Sequence, residues 1–162
     1  MHAAWVADWD RHAPARVHLV KAHQVAEVDF EPDLVLTTKR PPEDCLASLI
    51  RMGWLADDPQ AIRRAHIWHQ KLHAHWHSRS ALELSYSQIL SEPEIALSRL
   101  AVVLGLPASP DRFRIIAEEL RHMKAPVKGR YDSTTLLHPR HRRGDGDGPD
   151  RSYIRRILES SN

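Results

Sequence analysis

The run Asp33-Leu-Val-Leu-Thr-Thr-Lys-Arg40-Pro-Pro-Glu-Asp44-Cys-Leu-Ala-Ser48 constrains this chain most, because it places a strand end, a turn and a helix start in direct succession. Leu34, Val35 and Leu36, extended by the β-branched Thr37 and Thr38, form the short apolar run of a strand covered on both faces. Pro41 and Pro42 cannot continue a strand ladder. They suit the first positions of a helix, where a missing N–H costs nothing and φ is already set. Glu43 and Asp44 favour the positive end of the helix dipole. Leu46, Leu49 and Ile50 continue the helical pattern, and Gly53 supplies its stop. Arg40 therefore stands just past the carboxyl edge of a strand, and Ser48 lies one turn after Asp44 on the same side of the helix. Ligands of open α/β sheets bind outside the carboxyl ends of the strands, and a helix N-terminus there favours phosphate. A guanidinium fork and a serine hydroxyl make the junction a natural anion site. Pairing of Arg40 with Glu43 or Asp44 on a solvated surface accounts for the same residues without a ligand.

The rest of the chain alternates in the same way. Strands are expected near residues 16–21, 33–39 and 81–86, and helices near 42–53, 60–78, 93–105 and 110–123. That order reads as α/β, a parallel sheet with helices on both faces. Trp5 and Trp9 are spaced for one face of a short N-terminal helix within residues 1–15. Residues 124–135 read as loop. Residues 144–162 read as a flexible tail, opening with Gly144-Asp-Gly-Asp-Gly148-Pro and holding a short helix from Tyr153 to Leu158. With 162 residues, 42% of them hydrophobic, the chain is expected to form a single domain over 1–162.

No apolar stretch is long enough to span a bilayer, and the N-terminus lacks a basic region followed by an apolar segment. No membrane partner and a cytoplasmic location are the expectations. Cys45, the sole cysteine, reads as a packing residue. Net charge is only +2, but residues 121–162 carry ten Lys/Arg against five Asp/Glu, which suits an anionic ligand. Nucleic acid is not expected, because Tyr153 is the only aromatic interleaved with Arg140, Arg142, Arg143, Arg155 and Arg156 and no DNA-binding motif frames them.

The segment Ala61 to Ser78 carries His66, His69, His73, His75 and His77. His69 and His73 form an i, i+4 pair that can share a zinc ion. Ile62, Ala65, Leu72 and Trp76 make an apolar stripe, however, and His66, Gln70, His73 and His77 a polar one, as in an amphipathic surface helix. No glutamate accompanies the pair as in His-Glu-x-x-His and no cysteine ligand is at hand, so no metal is expected.

Strand, arginine, proline, acidic pair and a serine eight residues after the arginine resemble the 3′-phosphate site of sulfotransferases, which use 3′-phosphoadenosine 5′-phosphosulfate as sulfonate donor. Upstream, Val17-His-Leu-Val-Lys21-Ala-His23 resembles the family's strand ending in Lys-x-His. Downstream, Leu82-Glu-Leu-Ser-Tyr86-Ser-Gln-Ile-Leu90 and the helical stretch from Glu92 to Leu104-Gly-Leu-Pro107 are similar to its strand, Tyr-Glu-Asp-Leu turn and helix ending in Leu-Gly-Leu-Pro. Leu136-Leu-His-Pro-Arg-His-Arg-Arg143-Gly144 is similar to its C-terminal Arg-Lys-Gly phosphate loop. These matches fall in the family's order from about residue 17 to about residue 148.

The resemblance implies a P-loop-NTPase-like sulfotransferase fold. It implies sulfonate transfer from 3′-phosphoadenosine 5′-phosphosulfate, as co-substrate, to a hydroxyl or amine of a small-molecule or glycan acceptor. Arg40 and Ser48 would hold the 3′-phosphate, Arg143 and the Gly144 backbone would close over it, and Tyr86 would lie near the adenine. His23 would be the general base and Lys21 would stabilise charge on the transferred group. Asp44 resembles a helix aspartate that supports the Arg40 loop. Two departures stand out: Ser87 and Gln88 replace the usual acidic pair after Tyr86, and residues 1–16 hold no Gly/Ser/Thr-rich loop for the 5′-phosphosulfate. The chain is therefore expected to be N-terminally incomplete relative to the family. The alternative is a catalytically inactive nucleotide-binding or assembly protein of the same fold.

Overall fold

The computed structural model describes residues 2–23, 28–123, 137 and 150–160. These residues contain four strands, six α-helices and one 3-10 turn, a mixed α/β arrangement with parallel strand pairing. They fall into two compact units, one of residues 2–23 and 28–32 with Leu137, the other of residues 33–123 with 150–160.

In the first unit, β1 (His2–Trp5) pairs in parallel with β2 (His18–Lys21), in the register His2↔His18 to Trp5↔Lys21. Residues 2–5 are thus a strand rather than the start of the expected N-terminal helix. Their amphipathic spacing is real but is used differently: Trp5 ends the strand, and a 3-10 turn, Val6–Asp8, sets Trp9 beside His18. Trp9 Nε1 donates to His18 Nδ1 at 3.0 Å, and the Trp9 ring packs on Phe30 with centroids 4.4 Å apart. Long-range pairing outweighs local propensity over so short a segment, since a first helical turn fixes six dihedrals for one hydrogen bond.

The second unit begins with β3 (Val35–Lys39), parallel to β4 (Ser80–Ser85), and has α1 (Pro42–Arg51), α2 (Pro59–His77), α3 (Tyr86–Ser91), α4 (Pro93–Val103), α5 (Pro110–His122) and α6 (Arg151–Glu159). The strands pair two by two, β1 with β2 and β3 with β4, instead of lining up in one sheet. No α-helix among the described residues belongs to the first unit, so only the second has strands and helices packed together.

Local chemistry explains the helix ends. Pro42, Pro59, Pro93 and Pro110 each stand at the first turn of a helix, where no amide donor is missed. Gly53 and Gly105 sit at φ 69° and 63°, and both close Schellman stops. In the first, Gly53 N donates to Ile50 O and Trp54 N to Leu49 O; in the second, Gly105 N donates to Val102 O and Leu106 N to Ala101 O. The Leu-Gly-Leu-Pro run is therefore a helix stop in its own right. Asp58 Oδ2 accepts from Ala61 N at 2.7 Å and caps α2. Asp58→Ala is expected to lower stability by about 1 kcal/mol in a urea titration, the usual value of a lost N-cap.

The core of this unit joins three helices. Leu46 and Ala47 of α1, Ile62 of α2, and Ile154 and Ile157 of α6 are buried together, flanked by Ile50, Leu55, Ala65 and Tyr153. Residues 151–159 are thus a packed helix, not part of a loose tail. The amphipathic face Ile154/Ile157/Leu158 finds its partner in the groove between α1 and α2. No helix among the described residues is long and apolar enough to cross a membrane.

Candidate anion site at the β3–α1 junction

Arg40 follows the last residue of β3 and precedes the Pro41 cap of α1, where the sequence places it. Its neighbour is set by strand register. Lys39 pairs with Ser85, so the residue after each strand, Arg40 on one side and Tyr86 on the other, emerges at the same edge. The Arg40 guanidinium lies over the Tyr86 ring, 4.6 Å from its centroid, a cation–π contact. Tyr86 opens α3, which Ser85 caps by accepting from Gln88 N at 3.1 Å. The two residues are 46 positions apart in the chain and meet through parallel pairing alone.

The acidic pair behind Arg40 is not idle. Asp44 is only 9% exposed; its Oδ2 lies 3.7 Å from Arg40 Nε, and its Oδ1 lies 2.7 Å from Arg151 Nε. Glu43 Oε1 accepts from Arg155 at 2.7 Å. Arg151 and Arg155, one turn apart on α6, thus cover the first turn of α1. Sequence reasoning missed both: their i, i+4 spacing was visible, but not the helix they face. Arg40 Nε is buried and makes no hydrogen bond within the described structure. The surface pairing considered from sequence therefore exists in a drier form, as a carboxylate shared between two arginines.

The α1 N-terminus has few amide donors left. Pro41 and Pro42 have none, Asp44 N and Cys45 N both point to Pro41 O, and the Glu43 amide bonds its own carboxylate. Any anion here is held by side chains. Ser48 lies half-buried on α1, four residues after Asp44. Burial pushes the Cys45 thiol up, with Arg40 acting weakly against it, in keeping with a packing role.

The Arg155 hydrogen bond, followed by that of its own amide, holds the Glu43 carboxyl below its ordinary value of 4.5. A depressed folded-state value contributes stability that is present above the unfolded value and lost as pH falls through the folded one. Arg155→Ala is accordingly expected to lower stability slightly at neutral pH and to leave it unchanged at pH low enough to protonate Glu43 in both states, so that the acid limb of a stability–pH profile flattens, as read by denaturant titration at each pH.

No family model, curated protein or solved structure matches this chain. Its chemistry has to be read from its own residues.

Lys21 and His23 belong to the first unit, and Arg40, Ser48 and Tyr86 to the second. Lys21 Nζ lies 4.4 Å from the Trp5 ring centroid, and the Trp5 and His23 rings are 4.9 Å apart. Burial pushes the Lys21 ammonium down. Arg143 and Gly144 lie outside the described residues. The second unit also has an open depression of about 470 Å³ walled by Trp54, Leu55, Trp68 and His69. Burial, and then His66, lowers His69 so that its imidazole favours the neutral form.

Proposed function

We propose that this chain is a sulfotransferase-like protein of P-loop-NTPase-like fold that binds the 3′-phosphoadenosine group of 3′-phosphoadenosine 5′-phosphosulfate at the β3–α1 junction. The observation that carries the reading is the Arg40–Tyr86 pair at the shared carboxyl edge of two parallel strands. A guanidinium held over an aromatic face can turn its fork to phosphate oxygens, and the ring beside it offers a surface for a base. The succession of motifs along the sequence from Lys21 to Gly144 supports the same ligand.

In the reaction, His23 takes the proton of an acceptor hydroxyl or amine as its oxygen or nitrogen attacks sulfur. The bond between sulfur and the bridging phosphate oxygen breaks, and adenosine 3′,5′-bisphosphate leaves with the electron pair. Lys21 offsets the negative charge that gathers on the bridging oxygen. Ser48 adds a hydroxyl donor to the 3′-phosphate, and the resemblance in sequence assigns Arg143 and Gly144 to the same group.

A second reading, nucleotide binding without transfer, is favoured by the connection after β1. Val6–Asp8 is a 3-10 turn that carries an acidic residue, and no glycine occurs before Gly53. Such a connection lacks the converging amides that a phosphosulfate needs.

Calorimetric titration with adenosine 3′,5′-bisphosphate tests both. Arg40→Ala is expected to weaken binding roughly 10- to 150-fold, the equivalent of a lost charge-assisted contact of about 1.5–3 kcal/mol. Unchanged affinity rejects the site. Nucleotide binding without sulfonate transfer to any hydroxyl or amine tried selects the second reading over the first.

A further inference from the structure

The histidine-rich helix α2 ends against β4, and there it does something the sequence pattern concealed. The pair that converges is not His69 with His73 but His73 with His77, one turn further on. Their rings stack with centroids 5.2 Å apart and planes 19° from parallel. Both point to one carboxylate from the next strand: His73 Nε2 lies 2.6 Å and His77 Nδ1 3.0 Å from Glu83 Oε2. Other histidines of α2 are engaged elsewhere, His69 in the wall of the depression and against Trp68, His75 against Trp76.

We propose that His73, His77 and Glu83 form a binding site for a zinc-class divalent cation, with one coordination position open to solvent or a ligand.

The donor set is one that zinc favours, two imidazole nitrogens and a carboxylate oxygen. The three ligand atoms lie within 4.8 Å of one another. Tetrahedral zinc with bonds of about 2.0–2.2 Å sets its ligand atoms about 3.4 Å apart, so side-chain adjustment alone closes the site. The ligands stand on regular elements. Glu83 is mid-strand in β4, paired in register with Thr37 of β3, and the two histidines project from the last turns of a nineteen-residue helix. The competing cation stays off the carboxylate: Arg99 bonds Gln88 Oε1 at 2.8 Å and approaches only the Glu83 main-chain oxygen, at 3.5 Å. Without metal, the two imidazole N–H groups satisfy the carboxylate. On binding, each neutral ring carries its proton on the other nitrogen, and the cation takes the place of the two N–H groups and gains all three ligands. The side chains are 36%, 58% and 23% exposed, so an ion can enter and the remaining position faces water. All three ligands lie within residues 73–83, as His-x3-His-x5-Glu, which makes the site local to one helix–strand connection.

Equilibrium dialysis of the chelator-treated full chain against zinc, with cobalt(II) absorption as the spectroscopic readout, tests the assignment. The parent is expected to bind one equivalent tightly and to give the intense visible bands of a low-coordinate cobalt site. His73→Ala, His77→Ala and Glu83→Gln should each weaken this binding by more than the roughly 10- to 100-fold that loss of an outer-shell partner costs. His66→Ala/His69→Ala should leave it intact. Glu83→Gln keeps the side-chain shape, so it serves if an alanine variant fails to fold. Zinc should raise the thermal midpoint of the parent and not that of Glu83→Gln. Absence of stoichiometric binding, or equal loss in the His66/His69 double variant, overturns the proposal and leaves only non-specific chelation by a histidine-rich surface.

Discussion

Ile154→Ala is expected to destabilise the second unit by about 2–5 kcal/mol in a urea or guanidinium titration, with little change in slope. Ile154 is fully buried, at 0% exposure, and packs with Leu46 at 1% and Ile62 at 0%, so three helices meet on one side chain. Truncation removes the transfer free energy of three carbons and leaves a cavity that three helices, each held by other contacts, cannot collapse into. Ile154→Val should lose only about 0.5–1.5 kcal/mol, and the exposed Arg156→Ala should change stability by less than about 0.5 kcal/mol. A loss below 1 kcal/mol for Ile154→Ala would show that α6 does not dock in solution. The effect should reach the anion site as well, because α6 brings Arg151 and Arg155 to Asp44 and Glu43.

Asp44→Asn should move stability and ligand affinity in opposite directions. The carboxylate is nearly buried between Arg40 and Arg151, and removing its charge leaves the Arg40 guanidinium without its counter-ion. What is lost is the ion pairing with Arg40 and the charge on the contact to Arg151, from which the amide still accepts, so a destabilisation of about 1.5 kcal/mol, the low end for a contact to a charged group, is expected. That is well below the roughly 3–5 kcal/mol of a fully buried pair, because the Arg151 side chain is 69% exposed and water screens it. If Arg40 holds the 3′-phosphate, the same substitution removes a repelling charge beside the ligand. Affinity for adenosine 3′,5′-bisphosphate should then rise about fivefold, near 1 kcal/mol for unit charges about 4 Å apart in a water-like dielectric. Titrations of parent and variant separate the roles: weaker binding in Asp44→Asn would mean that the aspartate positions Arg40, and unchanged binding that no anion sits there.

The legible parts of this chain are those governed by neighbours in sequence. Pro41-Pro42 with Glu43-Asp44 marks the start of α1, Gly53 its end, and Gly105 the end of α4, because ring constraint, dipole and left-handed φ act within one turn. The strand Val35–Lys39 and the position of Arg40 follow from the same run. What failed was longer in range. Trp5 and Trp9 keep helical spacing, yet residues 2–5 pair as a strand with residues 18–21, since four residues gain more from a ladder than from an unsupported turn. The short helix α3 was not anticipated; Ser85 caps it, a signal present in Ser85-Tyr-Ser-Gln88 but masked by the apolar pattern of the strand before it.

The sites divide in the same way. That Arg40 would stand at a strand end was readable, but that it would lie on Tyr86 depended on β3 and β4 pairing in parallel with Lys39 opposite Ser85. The histidine run was visible, while its glutamate partner sat on the next strand and its working pair was one turn away from the one first noticed. Sequence alone determined where α1 starts and where α1 and α4 stop, and that Glu43 and Asp44 stand beside Arg40, because those are local balances of backbone geometry and dipole. Only the tertiary structure decided which side chains meet, Arg40 with Tyr86, Asp44 with Arg151, Glu83 with two imidazoles, because register and helix docking are settled by burial over the whole unit and leave no short-range signature.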